Sequence, residues 1–460
     1  MKDIVTRIIS YRFDHYEEIE AKLEKMAAKG LFLKEYGIYL WTFRKGTPQQ
    51  LKYTVTYFSE GSIYNPDITD NQRAFLDYAE AAGWNFVTQS NQMQIFCSKA
   101  DNPIPFETDE GEKFKNIKKC MWKNFIPSTI SLLSIFTLNL ILRFLSFQRN
   151  PVEFFSSPTD LIHVLMLSSF ILFNTYSLFD YFLWCKRSKK SINNGGTCLQ
   201  NKSHRVFDIF FLIFMFISLG VYLFYTASQI GWGILLIAIT QIPIMIFVFQ
   251  FSIKYLKKKK TSAAMNKTIS TMALAGVGFL YFLLLFGLIM HLGFDFDRKS
   301  PYRTVTWPIT NTYSEEYKLY NDELPLTCED LYGPVDYDYY SYEKREKRTF
   351  FLSNITYQQT SLPAKGAPPR IEYTILEPHF NFIYQLTKEH LFKIPIWQTQ
   401  TSLHAIDNKT FGTIEAYQRY YNTTPMGEYI LFFPDKIVTL NLEEPPTVEQ
   451  ILTIREKLTL

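Results

Sequence analysis

Thr268–Met290, TISTMALAGVGFLYFLLLFGLIM, runs without a charged residue for longer than a bilayer requires, since a hydrocarbon core of about 30 Å takes roughly 20 helical residues. Four further stretches read the same way: Phe125–Leu145, Leu161–Trp184, Val206–Ala227 and Trp232–Leu256. Asp, Glu, Lys and Arg are almost absent from their centres, as expected where an unpaired charge costs about 2.5–3.5 kcal/mol or more. Buried core helices of a soluble protein need polar interruptions that these runs lack. The spacing therefore predicts a polytopic α-helical membrane protein with five transmembrane helices between residues 125 and 290.

Basic residues alternate between the connections. Lys113, Lys115, Lys118, Lys119 and Lys123 precede the first span. Lys186, Arg187, Lys189, Lys190, Lys202 and Arg205 lie between the second and third, and Lys254, Lys257 to Lys260 and Lys267 between the fourth and fifth. The other connections hold only Arg143, Arg149, Arg298, Lys299 and Arg303. Seventeen against five predicts a cytoplasmic N-terminus, and an odd number of spans then puts the C-terminal region outside the plasma membrane. The net charge of +4 comes from these lysines and gives no reason to expect nucleic acid. The lipid bilayer is the expected partner, with room for a protein partner on either face. Of Cys97, Cys120, Cys185, Cys198 and Cys328, only Cys328 falls outside, so no disulfide framework is expected; Cys185 and Cys198 lack zinc-site spacing. The first twenty residues contain no signal-peptide apolar core, which fits a cytoplasmic start.

Residues 1–100 read as a small α+β domain. A helix is expected over Asp14–Lys29, with Asp14 as N-cap, apolar positions Ile19, Leu23, Met26 and Ala27, and Gly30 beyond its end. Leu31–Phe43 and Leu51–Phe58 alternate like strands around a Gly46-Thr47-Pro48 turn. The pattern then returns as a helix over Ala74–Ala82, Gly83, and strands over Trp84–Thr88 and Gln92–Cys97. One helix–Gly–strand–strand unit used twice is the simplest reading.

Three of these segments carry a resemblance. Leu23-Glu-Lys-Met-Ala-Ala-Lys-Gly30, Trp41-Thr-Phe-Arg-Lys-Gly46 and Ala82-Gly-Trp-Asn-Phe-Val87 resemble the bacterial family known as domain of unknown function 2812, with Leu31 where that family usually has tryptophan. The resemblance covers roughly residues 10–100. It implies a membrane protein of mainly Gram-positive bacteria, often encoded near PadR-type regulators, and supplies no catalytic residues.

Residues 101–124 read as a polar, proline-containing linker and basic collar that leaves the N-terminal domain some freedom. Within residues 125–290 the candidate intramembrane polar groups are Asn139, Asn174, Asp180, Asp208 and Gln241, besides His163. Asn139, Asn174 and Gln241 are expected to make interhelical hydrogen bonds, and Ala273-Leu-Ala-Gly-Val-Gly278 to give a face for close helix packing.

Residues 291–460 read as a second α+β domain with helices on one side of a curved antiparallel sheet. Thr327 is expected to cap a short helix ended by Gly333. Strand-like runs recur at Arg348–Tyr357, Arg370–Leu376, Thr413–Tyr421, Tyr429–Phe433 and Lys436–Leu442, and a helix closes the chain over Thr447–Leu458. The loop over Val335–Tyr342 offers Tyr332, Tyr337, Tyr339, Tyr340 and Tyr342 as a recognition surface, because tyrosine gives large amphipathic contact at low entropic cost. His379, His390 and His404 show neither metalloprotease spacing nor a neighbouring nucleophile motif. No catalytic, metal or cofactor motif is present, and no cofactor is expected. Soluble domains flanking a polar-poor bundle point to a sensing or regulatory protein. The alternatives are a transporter or its accessory subunit, which predicts a polar cavity among the spans, and a membrane-bound enzyme, which predicts His379, His390 or His404 converging with a carboxylate in one pocket.

Overall fold

The computed structural model describes residues 3–9, 11, 15–36, 40–105, 109–199, 205–230, 232–292, 301–308, 314–335, 339–362, 369–393 and 400–459. It divides into two compact units: Met1–Asn139 with Met166–Phe294, and Leu140–Leu165 with Asp295–Leu460.

The first unit begins with a repeated strand–helix–strand–strand element. The first copy is β1 (Ile4–Ile8), α1 (Tyr16–Ala27), β2 (Leu31–Glu35) and β3 (Leu40–Lys45). The second is β4 (Lys52–Tyr57), α2 (Asp70–Ala81), β5 (Asn85–Ser90) and β6 (Met93–Ser98). Each forms its own antiparallel sheet, with strand orders β1-β3-β2 and β4-β6-β5. A left-handed glycine follows each helix, Gly30 at φ +72° and Gly83 at φ +84°. A register shift falls at matching distances beyond each, between Leu33 and Glu35 and between Phe86 and Thr88. Gly30 is also required sterically, since an added Cβ would lie 2.3 Å from the Gly46 carbonyl oxygen. β1 precedes the first anticipated element and was not expected, whereas the strand expected over Leu51–Phe58 is β4, which opens the second copy instead of closing the first. Asp14 lies outside the described residues, and His15 occupies the N-cap of α1.

α1 buries Tyr16, Ile19, Leu23 and Ala27, one helical face, against Trp41 and Phe43 of β3 and Tyr53, Val55 and Tyr57 of β4. The same helix pairs the edge of β4. Glu20 Oε1 accepts from the Val55 amide at 2.7 Å and Glu24 Oε1 from the Tyr53 amide at 3.4 Å, so edge donors that β6 does not reach are satisfied.

The expected linker is overturned over most of its length. Glu110–Lys123 is helix α3, capped by Asp109, whose carboxylate accepts from the amides of Gly111 (2.7 Å) and Glu112 (3.1 Å). Its Ile117, Cys120 and Met121 are fully buried in the core that α1 and β4 share. Lysines dominate its sequence, but they occupy the solvent face of an amphipathic helix.

Then follow α4 (Phe125–Arg149), α5 (Pro151–Ser156), α6 (Pro158–Asn193), α7 (Arg205–Ile230), α8 (Trp232–Lys258) and α9 (Ala263–Leu292). Among the described residues four stretches are long and apolar enough to cross a membrane: Glu110–Arg149, Pro158–Asn193, Ile239–Lys258 and Ala263–Leu288. This is the layout of a multi-pass membrane protein. The remaining expected span lies in α7, whose apolar part among the described residues is Ile209–Tyr225. Ring contacts join neighbours, Phe136 with Phe170 at 4.7 Å between α4 and α6 and Tyr176 with Phe207 at 6.1 Å between α6 and α7. Tyr281 of α9 donates to Thr240 Oγ1 of α8 at 3.3 Å. The small-residue face is not packed as expected, because a Cβ at Gly276 or Gly278 would meet nothing within 4 Å.

In the second unit a hairpin, β7 (Tyr302–Pro308) and β8 (Ser314–Tyr320), precedes α10 (Cys328–Tyr332), which Thr327 and Asp330 close with a reciprocal capping box. A seven-stranded antiparallel sheet follows. It comprises β9 (Tyr340–Arg348), β10 (Leu352–Ser361), β11 (Ile371–Pro378), β12 (Thr401–Ala405), β13 (Glu415–Tyr421), β14 (Thr424–Phe432) and β15 (Ile437–Leu442), in the order β12-β13-β14-β15-β11-β10-β9. Helices α11 (Asn381–Phe392), α12 (Asn408–Phe411) and α13 (Val448–Thr459) complete it. Both faces of the sheet are covered, not one. Leu431, Val438 and Leu440 join a core with Leu331, Phe411, Ile454 and Leu458 of α10, α12 and α13, whereas Ile430, Phe432 and Ile437 join Ile383 of α11 and Val152 of α5. The missed α11 supplies the second cover.

Candidate functional site

Chemistry-bearing side chains concentrate at helix ends. Asn124 is the turn residue between α3 and α4, and three amides meet there. Asn91 Nδ2 donates to Asn124 Oδ1 at 2.7 Å, and Asn124 Nδ2 donates to Gln92 Oε1 and, at 3.0 Å, to the Cys120 carbonyl. Asn91 and Gln92 form the tip of the β5–β6 hairpin, and Asn91 takes the left-handed conformation at φ +56°, which asparagine tolerates better than most side chains. Lys123 Nζ reinforces the clamp by donating to the Ser59 carbonyl at 2.8 Å.

Helices α6 and α9 are also held by directional bonds in the first unit. Trp184 of α6 is buried, touches Phe114 of α3 at 5.7 Å between ring centres and donates Nε1–H to the Leu199 carbonyl at 2.7 Å. Glu110 Oε2 accepts from the Cys198 amide at 2.8 Å. Fully buried Asn266 of α9 donates to the Tyr64 carbonyl at 2.9 Å, and Ser270 donates to its Oδ1 at 3.2 Å. One hydrophobic core thus runs from α1, β3 and β4 into Ile126 of α4 and Tyr181 and Trp184 of α6.

Beside the clamp lies a cavity of about 460 Å³ whose lining includes Asn65, Asp67, Gln72, Gln89, Asn91 and Lys257. Gln72 donates to Gln89 Oε1 at 2.5 Å, and Gln89 donates to the Asn91 carbonyl at 2.7 Å, so the cavity wall is bonded to the clamp. On α1, burial pushes the Glu20 carboxyl up to about 7, against the opposing hydrogen bond from Val55.

Residues 15–129 match the family model described as Protein of unknown function (DUF2812). The matched segment begins at the N-cap of α1, after β1. That segment extends past the hairpin tip and α3, through Asn124, into the first turn of α4. No curated protein and no solved structure matches the chain.

The second unit holds α5 and the facing ends of α4 and α6. Val152 packs with Leu352, Leu376 and Ile383, Lys347 Nζ donates to Glu153 Oε1 at 2.6 Å, and Thr349 Oγ1 donates to the Phe155 carbonyl. Arg143 near the end of α4 is ion-paired with Asp160 at the start of α6.

Two of the intramembrane polar groups bond within their own helices. Asn139 Nδ2 and Asn174 Nδ2 donate to carbonyls of their own helices, Ile135 at 2.9 Å and Phe170 at 2.7 Å, so the interhelical bonds expected of them are absent. A span offers few external acceptors, and the preceding turn is the nearest one. Asp180 and Gln241 are half-buried on α6 and α8; the Asp208 side chain lies outside what the structure describes. The tyrosine surface is also corrected. Tyr340 and Tyr342 begin β9 and are buried at 4% and 8% exposure, their hydroxyls donating to the Pro369 carbonyl and to Glu329. Tyr332 and Tyr339 are exposed, and Tyr337 lies outside the described residues. His379 lines a cavity of about 400 Å³ with Lys388 and Glu415, in which neither His390 nor His404 takes part. Among the described residues no group of His, Cys, Asp and Glu is arranged to hold a metal ion.

Proposed function

We propose that this protein is a sensor or regulator of the bacterial plasma membrane, in which the state of the C-terminal domain is passed through α4 and α6 to the DUF2812 segment. One observation carries the reading: each of these helices has one end built into the core of the first unit and the other held within the second. The Asn124 clamp lies on one of the two, so a shift or rotation of α4 is read directly by the β5–β6 hairpin. A packed junction of this kind switches between discrete arrangements more readily than it deforms continuously.

The lysine asymmetry supports five spans with a cytoplasmic N-terminus and an extracellular C-terminal domain. The family resemblance supports a Gram-positive host. The test uses the full-length protein in nanodiscs and releases α5 with a Lys347→Ala/Thr349→Val double substitution, followed by hydrogen exchange across residues 85–126. Altered protection around Asn91 and Asn124 is expected. Exchange identical to that of the parent, in a protein whose C-terminal sheet keeps its own protection, would remove the coupling.

A further inference from the structure

The second unit carries an aromatic surface that none of the contacts above accounts for. From the end of α4 a chain of phenylalanine rings runs without interruption. Phe144 meets Phe147 at 6.0 Å, Phe147 meets Phe154 at 5.4 Å and Phe155 at 5.7 Å, and Phe155 meets Phe351 at 5.3 Å. Phe350 meets Phe351 at 5.6 Å and Phe380 at 5.1 Å, and Phe380 meets Phe382 at 5.8 Å. The inner members of this chain pack against the sheet core, but Phe350 is 73% exposed and Phe382 57% exposed.

Isolated exposed phenylalanines are ordinary on a soluble surface. These two are not isolated. The turn bearing Phe350 is fixed to α5 by the Thr349 and Lys347 bonds, and α5 is itself the short link between α4 and α6, both apolar enough to span a membrane. The aromatic corner is thus tied to the level at which those helices leave the bilayer. It is continuous through shared ring contacts with Phe144, itself an exposed residue of the spanning stretch.

We propose that Phe350 and Phe382 sit in the headgroup–acyl boundary of the same bilayer, so that the C-terminal domain is anchored to lipid as well as to α4 and α6. Phenylalanine suits that boundary as the apolar face of interfacial segments does, by burying ring area without a polar atom to desolvate. The inference holds whichever face of the membrane the domain occupies.

The test places tryptophan at Phe350, and separately at Phe382, in full-length protein in phosphatidylcholine nanodiscs. Each is read as a difference from the parent, whose seven tryptophans are common to both. Val448→Trp, at a position 71% exposed on α13, is the water-facing control. The expected result is blue-shifted difference emission at both positions, quenched several-fold more by lipids brominated in the upper acyl chain than by aqueous iodide, with the control reversed. Quenching by iodide at either position overturns the proposal. So does shielding from both quenchers, the signature of a second protein chain on this surface.

Discussion

Asn124→Ala should release the β5–β6 hairpin from the first spanning helix without disturbing either fold. The substitution removes the bond to the Gln92 side chain and the one from Asn91, while its own backbone, at φ −119°, accepts alanine without strain. Gln92 is only 6% exposed, so its carbonyl oxygen is left without its partner in a place water reaches poorly. A lost bond that strands a buried partner costs about 1–3 kcal/mol, and the more accessible Asn91 amide adds less, which puts the clamp at roughly 2–4 kcal/mol. At about 1.4 kcal/mol per tenfold, that is a drop of roughly 30- to 700-fold in the protection of amides that exchange by local opening. Hydrogen exchange with peptide resolution over residues 85–98 measures it. Asn71→Ala is the control, because the Asn71 bond to Glu60 is exposed. A change below about threefold over residues 85–98, with the remainder of the protein unaltered, would mean that Met93 and Ile95 alone hold the hairpin and that the clamp transmits nothing. An equal loss across the whole first unit would refute the local character of the clamp instead.

The Glu20 carboxyl, raised to about 7 by burial, holds its proton in the folded protein at pH values where the unfolded chain has lost it. Its contribution to stability is therefore fully present below about pH 4.5, and lost as pH climbs through about 7. Thermal stability of the purified protein should fall over that window in the parent and change less in Glu20→Gln; parallel profiles would reject the assignment. Trp184→Ala should cost about 3–5 kcal/mol through lost packing and lower the temperature at which detergent-solubilised protein leaves its monodisperse peak. Trp184→Phe, which keeps a ring against Phe114, should lose clearly less, and equal losses would deny the packing role. Cys328 is buried and its thiol is pushed up to about 12 by burial, so a membrane-impermeant maleimide should leave it untouched in intact cells. Val448→Cys should label there and Tyr78→Cys, at an exposed position on α2, should not; the opposite pattern would invert the proposed topology.

Elements whose periodicity agrees with their burial were legible from sequence. α1 and α2 announce themselves by one apolar face and a following glycine, and the repeat is readable because Gly30 and Gly83 stand at equivalent points. What failed was reading composition as conformation. In α3, Phe114, Ile117, Cys120 and Met121 keep helical spacing, but the surrounding lysines suggested a collar and linker. In β9, Tyr340 and Tyr342 alternate toward the core although the acidic residues before them read as an exposed loop. Pro151-Val-Glu-Phe-Phe-Ser156 offered no signal of its own. Its docking depends on Leu352, Leu376 and Ile383, some two hundred residues further along the chain, and no local pattern encodes that. The clamp escaped for the same reason, since Asn91 and Asn124 are ordinary turn residues until the fold brings them together.

The distribution of polar bonds explains why helix ends, not helix centres, are the place to look for function in this chain. The amides of Asn139 and Asn174 donate to their own turns, so they lend little specificity to how the helices meet. Rings that join the helices tolerate sliding, because a stacked or tilted pair has no single register. Register is fixed instead where directional bonds are available: at Asn124 for α4, at Trp184 for α6, at Asn266 for α9, and between Arg143 and Asp160 in the parts of α4 and α6 that belong to the second unit. A bundle that is loosely specified in its middle and tightly specified at its ends allows the helices to move as rods. The energy of such a movement is then felt in the bonds at the ends, and of those the Asn91–Asn124–Gln92 clamp is the one bonded to the cavity wall through Gln89.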